Sequence, residues 1–420
     1  MGLEVLALLC LIGAIVIGFV RKSNVGLVCL GLSLILGTIG GLSAKEIYAG
    51  FPGKLFATLL GTMLFFSLLQ NNGTLEALSR RMTAVCGKMT FLVPISIYII
   101  SFVLSAAGPG AISVQTVMVL LAVPLGIHMG VSPLLMGVMA ILGAVGGTAS
   151  PIALTGILVG DLLNEMSITG YGMPIFIGVS IANLACAVVS YIVLKGWKKT
   201  DIQPKAEGNA VGTEKFTQAQ LISIALMLVM VVAVIGFSQD VGLVCFTLSL
   251  VLMLLRCGDE KKAVKALPWN TLMLIAGVNV LMNITKTMGG IDLLASILAS
   301  FMNRTTAAPL MGLTGGIMSW FSSANGVVFP TLIPTVPDVA SQVGGASVLQ
   351  MVVAIVCSAT VAGISPMSTG GSLVMASYAQ ETGADEKQQS KLFARLFMIS
   401  GLCVGLVFLL TLVGLLSFLH

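Results

Sequence analysis

Val25-Gly26-Leu27-Val28-Cys29 recurs 216 residues later as Val241-Gly242-Leu243-Val244-Cys245. In the same register Leu32, Ser33, Leu34 and Leu36 meet Leu248, Ser249, Leu250 and Leu252. Without a gap, Pro52 then meets Pro268, Gly61 meets Gly277, Gly73 meets Gly289, Glu76 meets Asp292 and Gly110 meets Gly326. Leucine-rich segments align by chance, but a shared run of Gly, Val and Cys hardly does. A chain duplicated in this way folds as two copies of one plan. In membrane proteins that plan marks secondary transporters, whose binding site lies between the repeats.

The copies lie in segments too apolar for water. Hydrophobic residues make up 57% of the 420 and charged residues 9%, so no polar shell can be built. Apolar runs of about 20 residues, enough to cross a hydrocarbon core, recur along the whole length. The chain is expected to be an all-α polytopic membrane protein, and its 48 glycines fit closely packed membrane helices. Residues 3–20 read as a retained first span, because Glu4 precedes the apolar run and Arg21-Lys22 follow it, the reverse of a cleavable leader. The eight cysteines stand singly, without metal-ligand spacing, and read as small packing residues. The net charge of +5 resides in short loops and points to topology, with no nucleic-acid partner.

Repeat one, residues 1–195, has spans near 3–20, 25–42 and 51–70 and an amphipathic stretch near 72–90. A broken apolar region follows at 92–126, then an interrupted span near 132–165 and a span near 173–195. The polar stretch 196–216 links the halves. Repeat two, residues 217–420, has spans near 219–237, 241–256 and 269–287 and an amphipathic stretch near 289–303. A broken region lies at 307–340, an interrupted span near 345–380 and a last span near 391–418.

If each broken region is a re-entrant hairpin, each half crosses five times. All but four of the 21 basic residues then fall on one face, Arg80, Arg81, Lys88, Lys199 and Lys205 among them. The other face holds only Lys45, Lys54, Lys286 and Arg304. Treating the regions as crossings scatters the charges, so the hairpin reading is preferred. An odd number of crossings inverts the second half, places both termini outside and makes 196–216 cytoplasmic.

Two kinds of break recur. One is the hairpin turn, Ser105 to Gly110 and Ser322 to Gly326. The other is Ser150-Pro151 before Thr155-Gly156, matched by Ser365-Pro366 before Thr369-Gly370 with one residue fewer between. Proline lacks an N–H and breaks its helix, and open backbone at membrane depth is tolerated where it lines a cavity. Half-helix N-termini suit an anion, and freed carbonyls suit a cation. No Asp or Glu lies in mid-span, and the only histidines are His128 and His420, which argues against a proton relay. Asn325 is the strongest recognition residue, able to donate to a carboxylate from a hairpin tip. Pro109 holds the aligned place in the first half. Lys286 reads as a snorkelling span-end residue, and Asn279 and Asn283 as interhelical hydrogen-bonding partners. HExxH, GxSxG and GxxxxGK[ST] are all missing, so an enzyme or an ATP-driven pump is not expected.

This plan resembles the ion-transporter superfamily of divalent-anion/sodium symporters and citrate carriers. Gly108-Pro109-Gly110, Val131-Ser132-Pro133-Leu134-Leu135-Met136 and Ser150-Pro151-Ile152-Ala153-Leu154-Thr155-Gly156 are similar to MatC-type dicarboxylate (malonate) carriers. The resemblance implies a homodimer with a scaffold (3–70 and 219–287) and an elevator-type transport part (92–195 and 307–418). It also implies cation sites flanking one anionic substrate. Carried over, the substrate residues are Ser323, Asn325, Gly326, Gly108, Gly110, Thr155 and Thr369; the cation residues are Ser105, Ser150, Ser322 and Ser365. The family's Ser-Asn-Thr tip is matched only in part by Ser323-Ala324-Asn325-Gly326, and the first tip has no Asn. The expected activity is secondary transport of small carboxylates, C3–C4 dicarboxylates foremost, across a bacterial inner membrane. The coupling ion would be Na⁺ or H⁺, with no other cofactor. Two alternatives stay open: a Na⁺/H⁺ antiporter of the same fold, or the membrane subunit of a decarboxylase-coupled pump.

Overall fold

The computed structural model describes residues 2–21, 23–77, 91–198, 215–237 and 239–414, apart from a few side chains that include His128. Lys22, Arg80, Arg81, Lys88, Lys199, Lys205 and His420 lie outside the described residues, as do most of the 72–90 stretch and of the 196–216 linker. All regular structure among the described residues is helical.

The first half runs α1 (Leu3–Arg21), α2 (Val25–Ile39), α3 (Ala44–Ala49), α4 (Gly53–Asn71), α5 (Val93–Ala106), α6 (Gly110–Met129), α7 (Pro133–Gly147), α8 (Leu154–Glu165) and α9 (Gly172–Val193). The second runs α10 (Gln218–Val231), α11 (Val241–Leu254), α12 (Glu260–Ala266), α13 (Trp269–Thr287), α14 (Gly290–Ser300) and α15 (Ala307–Phe321). An irregular arm, 324–342, leads to α16 (Val348–Val361), α17 (Thr369–Thr382) and α18 (Glu386–Leu412).

The matched residues of the sequence sit at reciprocal crossings. Helix α2 packs on α13, and α11 packs on α4. A Cβ on Gly277 would lie 2.0 Å from the Gly26 carbonyl oxygen, and one on Gly61 would lie 2.5 Å from that of Gly242. Only glycine allows such backbone contact. Cys29 and Cys245 are both fully buried beside these crossings. Helices α4 and α13 begin after prolines of equal geometry, Pro52 (φ −80, ψ 67) and Pro268 (φ −77, ψ 66). Beyond their ends Gly73 and Gly289 turn with φ of 75 and 76.

Past that point the correspondence slips by one residue. Pro94 and Pro309 begin α5 and α15, and Gly130 and Gly345 turn with positive φ. Ser132 and Ser347 cap α7 and α16, and Ala153 and Ser368 precede α8 and α17. All four pairs are 215 apart. The ungapped match of Gly110 to Gly326 is therefore corrected: Gly110 faces Asn325, and Ala324 takes the place of Pro109. In the same way Thr155 corresponds to Gly370, and Thr369 to Leu154.

Helix α5 turns into α6 through residues 107–109, and with 14 residues it is about 21 Å long, short of a ~30 Å hydrocarbon core. Helix α15, with 15 residues, is as short. The second arms differ. Helix α6 runs unbroken for 20 residues despite Pro124. Its counterpart divides into a π turn (Ala324–Val328), an α turn (Phe329–Leu332), a 3-10 turn (Ile333–Thr335) and a last helix (Val336–Gln342). Pro330, Pro334 and Pro337 each withhold an N–H there, which explains the division.

Helix α7 lies at the centre with all 15 residues buried, against α5, α6 and α9; α16 is similarly enclosed by α15, α9 and α18. Among the described residues, five stretches are long and apolar enough to cross a membrane: 53–71, 110–127, 172–193, 348–379 through its break, and 386–412. The bent pair α12–α13 makes a sixth. Helices α2 and α11 are shorter than the spans expected at 25–42 and 241–256, while α1 matches its span and α10 continues through a π turn, Val232–Gly236. Gly40 and Gly41 end α2, for example, before residue 42.

Candidate functional site

Both central helices break where the Ser-Pro pairs predict. After α7 the chain turns through residues 148–153, with the Ser150 amide donating to the Gly147 carbonyl (3.0 Å) and the Ala153 amide to the Ser150 carbonyl (2.9 Å). Gly156 must be glycine, since a Cβ there would lie 2.0 Å from the Ser150 carbonyl oxygen; Gly371 stands 2.2 Å from that of Ser365 in the same sense. The two turns share a backbone plan.

Their chemistry differs. Helix α17 is closed at its start by Ser368, whose hydroxyl accepts from the Gly371 amide and donates to the Ser365 carbonyl (2.7 Å) and to that of Gly363. Helix α8 starts after Ala153, which supplies no side-chain cap; its Gly156 amide donates instead to the Thr148 carbonyl (3.0 Å). The first two amides, of Leu154 and Thr155, face forward without a partner among the described residues, as do those of Thr369 and Gly370 in α17. A helix end left open in this way, with its positive dipole, favours an anion.

Asn325 meets this open end from the other half. The Thr148 hydroxyl donates to that of Thr155 (3.3 Å), which donates to Asn325 Oδ1 (3.0 Å). Each donor in the chain is committed in one direction, so the Asn325 Nδ2 group keeps both of its hydrogens for a ligand. Gly363 and Gly370 replace Thr148 and Thr155 in the second break, which has no hydroxyl pair. The amide there comes from Gln115 on α6: a Cβ on Gly370 would lie 3.1 Å from Gln115 Oε1. Gln115 is buried and was missed by the sequence reading. Its one signal is that of a long amide inside an apolar helix. Each break thus receives an amide from the hairpin of the opposite half.

The predicted substrate residues are brought together only in part. Thr155, Asn325 and Gly110 converge: a Cβ on Gly110 would touch Leu154 Cβ (3.1 Å) and approach Thr148 Oγ1 (3.6 Å), and φ is +74. Ser323 holds the tip by accepting from the Gly326 amide (3.2 Å). Gly326 and Gly108 face α13 and α4, where Cβ atoms would meet Leu274 (2.2 Å) and Phe66 (2.6 Å). Thr369 is exposed and corresponds to Leu154, not to Thr155. Of the cation candidates, Ser105 and Ser150 flank Gly147, and the Ser105 hydroxyl is buried with no partner. Ser322 donates to the Met318 carbonyl (2.7 Å), and Ser365 accepts from the Met367 amide (3.3 Å). These two serve as local caps.

A cavity of about 180 Å³ reaches this region, bounded by Gly108, Pro109 and Leu154 on one side and by Thr62, Ser67 and Gln70 of α4 on the other. A second, also about 180 Å³, lies between α13, the end of α8 and the arm 324–342.

Apolar helices long enough to cross a membrane, two of the apolar stretches broken in mid-course, make this an integral membrane protein, and what it resembles are carriers and transporters. Residues 1–148 match the family model described as the dicarboxylate carrier protein MatC N-terminus. The YdaH transporter of Alcanivorax borkumensis, whose structure is described as having an unusual topology, is similar in fold: TM-score 0.58, 12% identity, over 94% of this chain and 97% of that one. MtrF of Neisseria gonorrhoeae, described with a class of antimetabolite efflux pumps, is similar with TM-score 0.58 and 14% identity, over 91% and 84%. No curated protein matches in sequence. The family and both structures are carriers and transporters, not enzymes.

Proposed function

We propose that the chain is a secondary active transporter of small carboxylates, C3–C4 dicarboxylates foremost, driven by Na⁺ or H⁺. The observation that carries this reading is the pair of free amides at the start of α8, Leu154 and Thr155, facing the side-chain amide of Asn325 across the two halves. One carboxylate of the substrate accepts from the Leu154 and Thr155 amides and from Asn325 Nδ2, with no buried cation needed. The match of residues 1–148 to a dicarboxylate carrier family supports the substrate class. The partnerless Ser105 hydroxyl, beside the carbonyl end of α7, suits a coupling Na⁺. In this reading the halves are inverted five-crossing repeats of the ion-transporter superfamily, with both termini outside a bacterial inner membrane. The transport part moves as an elevator in a homodimer, and Gly108 and Gly326 are the points at which the hairpin tips slide past Phe66 and Leu274.

The test is uptake of labelled malonate, succinate and citrate into proteoliposomes, with Na⁺ and pH gradients imposed separately. One gradient is expected to drive accumulation of a dicarboxylate. Failure of both gradients to accumulate any of the three rejects the reading.

A further inference from the structure

The two cavities occupy corresponding places, yet only one is charged. Along α4 the first is lined by Met63, Ser67 and Gln70; along α13 the second is lined by Asn279, Asn283 and Lys286, each 216 residues on. Pro268 closes the rim of one, and Pro52 that of the other. The sequence suggested that Asn279 and Asn283 bond to neighbouring helices. Instead Asn279 Nδ2 donates to the Ile275 carbonyl of its own helix (2.8 Å), and both amides look into the cavity with Lys286. Glu165, at the end of α8, is the acidic residue in the lining.

We propose that this second cavity is an outer docking site for the anionic substrate, in which Lys286 attracts a carboxylate and Asn279 and Asn283 orient it before it passes to the α8 site. The proposal rests on the carboxylate reading. The spacing of 279, 283 and 286 puts the three side chains on one helix face, so a dicarboxylate can lie along them. A lysine at the exposed rim acts mainly by raising the local concentration of anions, an effect that salt screens. Glu165 limits occupancy by repelling a second anion and by competing for Lys286. In the predicted topology this face is exterior. The uncharged counterpart, around Gln70, faces the cytoplasm, so capture is favoured from outside and release inside.

The experiment is initial-rate uptake of the transported dicarboxylate by full-length protein in vesicles of zwitterionic lipid, at low and at high ionic strength. Lys286→Gln is expected to raise KM about three- to tenfold at low salt and to flatten its salt dependence, with the effect on KM rather than on maximal rate. Lys286→Arg should keep wild-type behaviour, and Glu165→Gln should lower KM. Lys45→Gln, a charge removed from the same predicted face but outside the cavity, should change neither. An unchanged KM and salt dependence in Lys286→Gln overturns the docking site. An effect seen only when anionic lipid is added also overturns it, because the occupant is then a headgroup. Wild-type vesicles that take up no carboxylate overturn instead the transport reading on which the site depends.

Discussion

Ala153 and Ser368 hold the same backbone geometry, φ −108 and ψ 163 against φ −95 and ψ 167, and differ by one oxygen. That atom receives the Gly371 amide in α17, whereas in α8 the matching Gly156 amide goes to the Thr148 carbonyl. Ala153→Ser is therefore expected to stabilise the protein by less than the ~1 kcal/mol of an added cap. The new hydroxyl would compete with the carboxylate for the helix amides, so KM should rise. Ser368→Ala should cost about 1 kcal/mol and leave KM unchanged. Thermal unfolding in detergent beside uptake kinetics separates the two. Asn325 was legible in the sequence because an amide stands out in a turn of small residues. Gln115 was not, since its partner Gly370 lies in the other half and Pro330 holds the corresponding place in the second hairpin. Local patterns carry no trace of a contact between repeats.

Among the elements, the glycine crossings and the hairpin tips make contacts of different hardness. A methyl on Gly277 would strike the Gly26 carbonyl, which is backbone and cannot yield, so the helices must part. Gly277→Ala should lose about 1–3 kcal/mol, as overpacking does, and Gly61→Ala should behave alike. A methyl on Gly326 would strike the Leu274 side chain at Cδ2 (2.2 Å) and Cγ (2.5 Å), atoms that a new Leu274 rotamer can move where backbone cannot. Gly326→Ala should keep near-wild-type thermal stability but slow transport, because that contact must slide; equal losses of stability at 277 and 326 would contradict this. Element order and breaks were readable from prolines and small residues. The offset of 215 was readable at Ser150-Pro151 and Ser365-Pro366, but its reach back to the hairpin tips was not, since Gly110 also meets a glycine, Gly326, at 216. Nor was the division of the arm 324–342, where Pro330, Pro334 and Pro337 act together.

For the whole molecule the sequence foretold a helical membrane protein, and the glycines it repeats at 216 residues lie where helices cross at backbone contact. It could not foretell which of the paired cavities would be charged, since that depends on which helix faces line them. Inverted halves predict that cysteines replacing Lys45 on α3 and Lys261 on α12, both exposed, are labelled from opposite sides of the membrane by an impermeant maleimide. Labelling from one side would mean parallel halves. The central claim is that a carboxylate is held between the open end of α8 and Asn325. Malonate uptake by wild-type and Asn325→Ala proteoliposomes, matched for protein content and thermal stability, tests it most directly. Loss of charge-assisted hydrogen bonds should weaken apparent affinity by about 10- to 100-fold. Uptake by Asn325→Ala with wild-type KM and maximal rate would contradict it.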